Sequence, residues 1–105
     1  MTTQPDVPTA VRDAALIHFR LAITGYLFNP ELCGFSLTGR IFFDRKERFK
    51  QGRLICTSVV EEFFEHCGYM IAVTWSGSAY VLVAEDGPWV YMFPHGRRNG
   101  SATDS

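Results

Sequence analysis

The chain reads as one α+β domain, with an N-terminal helix and a short second helix packed on an antiparallel sheet of about four or five strands. Apolar residues recur at helical spacing from Thr9, and from Leu37 onward they fall into aromatic and β-branched runs broken by turn residues. The length of 105 residues suits a single core, whose folding removes roughly two thirds of the extended chain's surface without help from a metal or disulfide.

Residues 1–8 are polar, and Pro5 and Pro8 stand too close together for a regular element, so this stretch reads as a flexible lead-in to a domain over 9–93. Val11, Ala14, Ala15, Phe19, Ala22 and Ile23 predict the first helix. Thr9 is its expected cap, Asp13 lies near its positive end and Gly25 is its expected stop. His18 falls on its flank, with no other ligand-type side chain four residues away. Tyr26 to Ser36 contains Asn29-Pro30, Cys33 and Gly34 among Leu27, Phe28, Leu32 and Phe35, and predicts an irregular apolar connection folded against the core.

Leu37 to Phe43 predicts a strand with Arg40 and Phe42 on one face and Ile41 and Phe43 on the other. A polar turn at Asp44 to Glu47 and a second at Gln51-Gly52 precede the apolar run Leu54, Ile55, Cys56. Residues 57–67 admit two readings. As a helix, Ser58 and Glu61 make a capping box, and Val60, Phe63, Phe64 and Cys67 form a stripe; as a strand, Glu61-Glu62 breaks the alternation. The helical reading is preferred. Tyr69 to Trp75 and Ser78 to Ala84 form a hairpin around Ser76-Gly77. Both of its faces are apolar, so one should pack on a helix and the other on a loop, a second sheet or a partner, including a second copy in a homodimer. After a turn at Glu85 to Pro88, Trp89 to Phe93 predicts a third strand, and residues 94–105 a flexible tail.

Cys33, Cys56 and Cys67 lack the close pairs of a zinc ribbon or finger. Free thiols in a reducing cytosol are expected, with one disulfide plus a free thiol as the alternative, and Cys56 and Cys67 read as core residues. The N-terminus has no signal-peptide pattern, and no apolar run approaches the ~18 residues of a membrane helix. A soluble cytoplasmic protein with no membrane partner is expected.

A net charge of −1 removes the argument for nucleic-acid binding by overall charge, but the charge is unevenly placed. Arg40, Arg45, Lys46, Arg48, Lys50 and Arg53 face only Asp44 and Glu47 in their segment, whereas residues 54–86 hold Glu61, Glu62, Glu65, Glu85 and Asp86 and no Lys or Arg. The expected role is non-catalytic: a small protein-binding or inhibitory accessory protein acting through Glu61, Glu62, Glu65 and the aromatic anchors Trp75 and Trp89. A basic nucleic-acid-binding protein is the expected partner, as for phage or mobile-element proteins that antagonise a host complex.

One alternative is binding of a single-stranded nucleic acid or RNA through segment 40–53, with Phe42 beside Arg40 stacking a base and Arg45, Lys46, Arg48, Lys50 and Arg53 holding phosphates. A small hydrolase is the other. Ser58, Glu65 and His66 supply the side chains of a triad, but Glu65 and His66 are adjacent and no glycine-flanked elbow presents Ser58. Cys67 beside His66 is no better placed. The acidic residues lack the alternating ligand loop of a calcium site and the isolated glycines make no phosphate loop, so no metal or cofactor is expected.

Overall fold

A computed structural model of the chain describes residues 7–90. The order is α1 (Thr9–Ala15), β1 (Gly25–Cys33), β2 (Ser36–Phe42), β3 (Arg53–Cys56), β4 (Val60–His66), β5 (Tyr69–Thr74), β6 (Ala79–Ala84) and β7 (Gly87–Pro88). One seven-residue helix and a mixed seven-stranded sheet thus replace the two helices and four or five antiparallel strands expected.

The helix begins after Pro8, which caps it without a side-chain hydrogen bond, and ends at Leu16 rather than near Gly25. Seven residues make a marginal helix alone; burial of Ala10, Val11 and Ala14 against the sheet holds it. From residue 16 the exposed side chains Leu16, His18, Arg20 and Ala22 alternate with Ile17, Phe19, Leu21 and Ile23, which pack inward. Phe19 and Ile23 satisfy a period of two as well as a period of 3.6, and the segment runs as irregular chain, with a turn at 16 and bends at 17, 20 and 21, rather than as a helix.

The sheet order is β3-β2-β1-β6-β5-β4, with β7 beside β6. Its two outer strands, β3 and β4, are consecutive in the chain and separated only by residues 57–59. In a flat sheet they would lie about 24 Å apart at ~4.8 Å per strand, whereas four Cα steps reach at most about 14 Å. The sheet therefore coils until its edges meet. The Thr57 amide donates to the Leu37 carbonyl at 2.8 Å, the Val60 amide to the Phe35 carbonyl at 2.7 Å, and the Trp75 amide to the Val59 carbonyl at 2.7 Å.

Residues 53–66 thus act as one long strand that bonds β2 with its first half and β5 with its second. Counted that way, five strands run up and down around a barrel, and an odd number brings the first and last together in the same direction. This accounts for the parallel pairing of β1 with β6 in an otherwise antiparallel sheet.

Coiling also settles what covers the two apolar faces of the β5–β6 hairpin. Ile71, Val81 and Val83 pack outward against α1 and residues 17–23, with Phe42 in the same cluster. Tyr80 and Leu82 face inward with Leu27, Leu37, Ile41 and Ile55. Both faces are covered within one chain, which removes the reason given for a second copy.

Segment 57–67 is strand, not helix. Val60 pairs with Thr74 and Glu62 with Val73, so Glu61 is the extra residue of a bulge. The bulge shifts the alternation by one, which puts Val60 and Phe63 with the inner cluster and Phe64 with the outer one. An i, i+3, i+4 stripe results without a helix. A second bulge, between Phe28 and Glu31, absorbs Asn29 and Pro30 in β1, where an irregular connection was expected; Asn29 takes the left-handed conformation there, with φ 52°. The polar turn after β6 is shorter than expected, because Gly87–Pro88 pair back on Val83 and Ala84. Trp89 and Val90 follow as irregular chain. The remainder of the expected third strand, 91–93, and both expected flexible ends, 1–6 and 94–105, lie outside the described residues.

Cys67 and Gly68 form the two-residue turn of the β4–β5 hairpin, with φ 55° and 84°. Both left-handed positions of such a turn favour Asn or Gly. Cys67→Asn is expected to relieve about 0.5–1 kcal/mol of strain and raise the melting temperature by several degrees. A melting curve of the variant under reducing conditions checks it. Cys67, Cys56 and Cys33 are all free and exposed, so neither Cys56 nor Cys67 is the core residue its neighbours suggested.

Candidate functional site

The basic segment forms the connection between β2 and β3, and its anchor is an acid. The Asp44 carboxylate is buried, with 1% of its side chain exposed. It accepts hydrogen bonds from the amides of Lys46 at 3.3 Å and Arg48 at 2.8 Å, and from Arg48 Nη2 at 3.3 Å. Burial alone would raise its pKa, but the hydrogen bonds and charge of Arg48 outweigh that and hold it below the ordinary carboxylate value. Arg48 Nη2 also donates to the Tyr80 hydroxyl inside the barrel at 3.1 Å, and its guanidinium lies 5.0 Å from the centre of the Phe49 ring. The connection is a plug whose most engaged base, Arg48, works inward.

This arrangement divides the nucleic-acid candidates. Phe42 is 3% exposed and packs edge-on against Phe28, so it offers no face to a base. Arg48 is held by Asp44 and Tyr80, and Arg40 Nη1 donates to the Gly52 carbonyl at 3.0 Å. Lys50 and Arg53 are exposed. Arg45 and Lys46 are exposed too and line a groove of about 380 Å³ with Ile23, Thr24 and Gly77. Arg45 also borders a second groove of about 370 Å³, which contains Phe43. Phe43 follows β2 with φ 56° and is 40% exposed. It is the aromatic residue that the basic segment presents outward, and strict strand alternation in the sequence hid it.

The protein-binding candidates are divided too. Trp75 is 74% exposed and its amide bonds Val59, one residue before β4. Glu61 and Glu62 stand at that same end of the strand. Glu65 is at the other end, paired with Met70 beside the β4–β5 turn. Trp89 is half-buried, with its ring 6.5 Å from that of Phe63 in the inner cluster.

Two residues that sequence reading did not single out as anchors join Trp75. Phe35, expected in the core, is 82% exposed, and Val59 is 49% exposed. The hydrogen bonds that close the barrel run through all three positions: Val60 to Phe35 on one side, Trp75 to Val59 on the other. Three segments distant in sequence thereby bring the backbones of three exposed apolar residues together along the seam. The apolar, aromatic character of each residue was legible, but their proximity depends on closure of the sheet.

The hydrolase residues are not assembled. Ser58 Oγ lies 2.9 Å from Ser76 Oγ, near the start of β4. His66 is at its far end, and Nε2 accepts a hydrogen bond from the Arg20 amide at 3.2 Å. Among the described residues no helix is long and apolar enough to cross a membrane, and no group of three His, Cys, Asp or Glu side chains is placed to hold a metal ion. No protein-family profile, curated protein or solved structure matches the chain.

Proposed function

We propose that the domain is a non-catalytic protein-binding module whose docking surface is the barrel seam, with Phe35 and Trp75 as anchors, Val59 between them and Glu61 and Glu62 at the rim. The observation that carries this reading is the exposure of Phe35, Val59 and Trp75 on three adjoining segments. Isolated exposed apolar residues need no explanation, whereas a group that includes two large aromatics is the composition of an interface centre. Acidic residues beside it favour a partner whose apolar pocket is bordered by Lys or Arg. A nucleic-acid-binding protein carries such a face, and occupation of it would exclude its nucleic acid; the inhibitory role rests on that exclusion.

Capture of partners by the tagged protein from its native host lysate, with nuclease and at moderate salt, tests the reading. A stoichiometric protein partner should be retained by the parent chain and by Lys50→Gln. The double variant Phe35→Ser with Trp75→Ser should lose it, with affinity reduced at least tenfold and melting unchanged because both side chains are exposed. Glu61→Gln with Glu62→Gln should slow association and flatten its salt dependence. Equal capture by the parent and the double aromatic variant overturns the proposal.

A further inference from the structure

A second surface, at the basic plug, has chemistry of a different kind. The two grooves described there share Ile23 and Arg45 in their linings, so they adjoin. The first is walled by Phe19, Ile23, Tyr26 and Phe43, with His18 and Arg45 as its polar lining. The second adds Lys46 and Gly77. Among the described residues no carboxylate lines either one.

Arg45 is held against the chain before β1, and among the described residues neither Arg45 nor Lys46 forms an ion pair. The Arg45 amide donates to the Thr24 carbonyl at 2.7 Å, and Nη1 lies 3.5 Å from the Ile23 carbonyl. Among the described residues the one ion pair is Arg48 with Asp44, which engages the acid beside Arg45; Glu47, beside Lys46, is exposed and lines neither groove. The aromatic wall is likewise held. Phe43 sits in a left-handed conformation that a bulky residue rarely adopts, its amide is bonded to Gln51 Oε1, and its ring meets Tyr26 edge-to-face at 6.0 Å. Without that backbone turn Phe43 would follow the strand alternation; with it, the ring lines the groove.

We propose that these adjoining grooves bind a nucleotide, free or within a single strand, with the base against Phe43 and Tyr26 and the phosphate at Arg45 and Lys46. An aromatic wall next to two cations outside any ion pair among the described residues matches an aromatic ring that carries a phosphate. An aliphatic acid would leave the aromatic faces and Lys46 unused, and a bare phosphate would leave the apolar groove empty. The combined space lies within the ~300–1,000 Å³ of small-ligand sites. Phe35, Val59 and Trp75 line neither groove, so the two surfaces use different side chains, although Gly77 of the second groove follows Trp75 by two residues.

The test is titration of the full chain with a fluorescein-labelled ten-nucleotide oligothymidylate, with adenosine monophosphate, inorganic phosphate and decanoate as unlabelled competitors. The oligonucleotide should bind, and the mononucleotide should displace it at concentrations where inorganic phosphate and decanoate do not. Arg45→Gln with Lys46→Gln should weaken binding at least tenfold and lower the slope of log K against log salt by about 1.4. Phe43→Leu should weaken it about tenfold with no change in that slope. Phe35→Ser with Trp75→Ser should leave it unaltered, which separates failure of this site from failure of the seam. Absence of binding, displacement by decanoate or phosphate as effective as by the mononucleotide, or equal affinity in the Arg45/Lys46 double variant overturns the proposal.

Discussion

Asp44→Ala is expected to destabilise the domain by about 3 kcal/mol, the low end of the range for a broken buried pair because the Arg48 side chain is 37% exposed and regains some hydration. The substitution leaves the amides of Lys46 and Arg48 without their acceptor and the Arg48 guanidinium without its counter-charge, with the uncharged Tyr80 hydroxyl as its remaining side-chain acceptor. Urea denaturation measures the loss, a large share of the 5–15 kcal/mol typical of a domain.

The same network sets a pH dependence. In the folded chain the Asp44 pKa lies below its ordinary value of 3.8, so the folded state binds this proton less readily than the unfolded state. Its contribution is complete above that ordinary value and is lost as pH falls through the lowered folded pKa. Stability of the parent should therefore decline more steeply below about pH 4 than that of Asp44→Asn, and indistinguishable slopes would show that Asp44 does not carry this dependence.

Gly39→Val is expected to have the larger effect, abolishing the cooperative unfolding transition. Gly39 sits in the middle of β2, opposite Ile55 of β3. A Cβ there would come within 2.8 Å of Leu27 Cγ and 3.1 Å of the Phe28 carbonyl. Leu27 is fully buried, and the carbonyl belongs to the strand just before the β1 bulge, so neither yields without opening the sheet where it coils. Gly39→Ala, with one added methyl, should cost about 2–3 kcal/mol. Trimming Leu27 in the alanine background tests the cause: Leu27→Ala should cost less there than in the parent, a positive coupling that a double-mutant cycle in urea would reveal. Strict additivity would place the clash elsewhere.

These two residues show how legibility varied along the chain. The β5–β6 hairpin could be read because its signal is local: two β-branched runs with Ser76-Gly77 between them. Residues 16–23 and 57–67 misled for one reason, since a short apolar stretch can satisfy two periods at once. Partners decided between them: β5 for residues 60–66, the outer face of the sheet for residues 17–23. Among the site residues, Trp75 and the Arg45-Lys46 pair could be named from sequence. Phe35 and Phe43 could not be placed, because exposure of the first follows from the closing seam and that of the second from a left-handed backbone turn.

Composition and local pattern determined an N-terminal helix, a sheet rich in aromatic and branched residues, and segments of opposite charge. Closure of the sheet was a tertiary decision. No local signal states that β3 and β4 are halves of one long strand, because that pairing joins residues up to 25 positions apart, Phe35 to Val60, through backbone groups common to every side chain. Closure buries the second apolar face, turns Asp44 and Arg48 into the fastening of a plug, and gathers Phe35, Val59 and Trp75 at the seam. Burial of apolar area rewards the coiled arrangement over a flat one that would leave the inner cluster in water, and that gain exists only once distant strands meet.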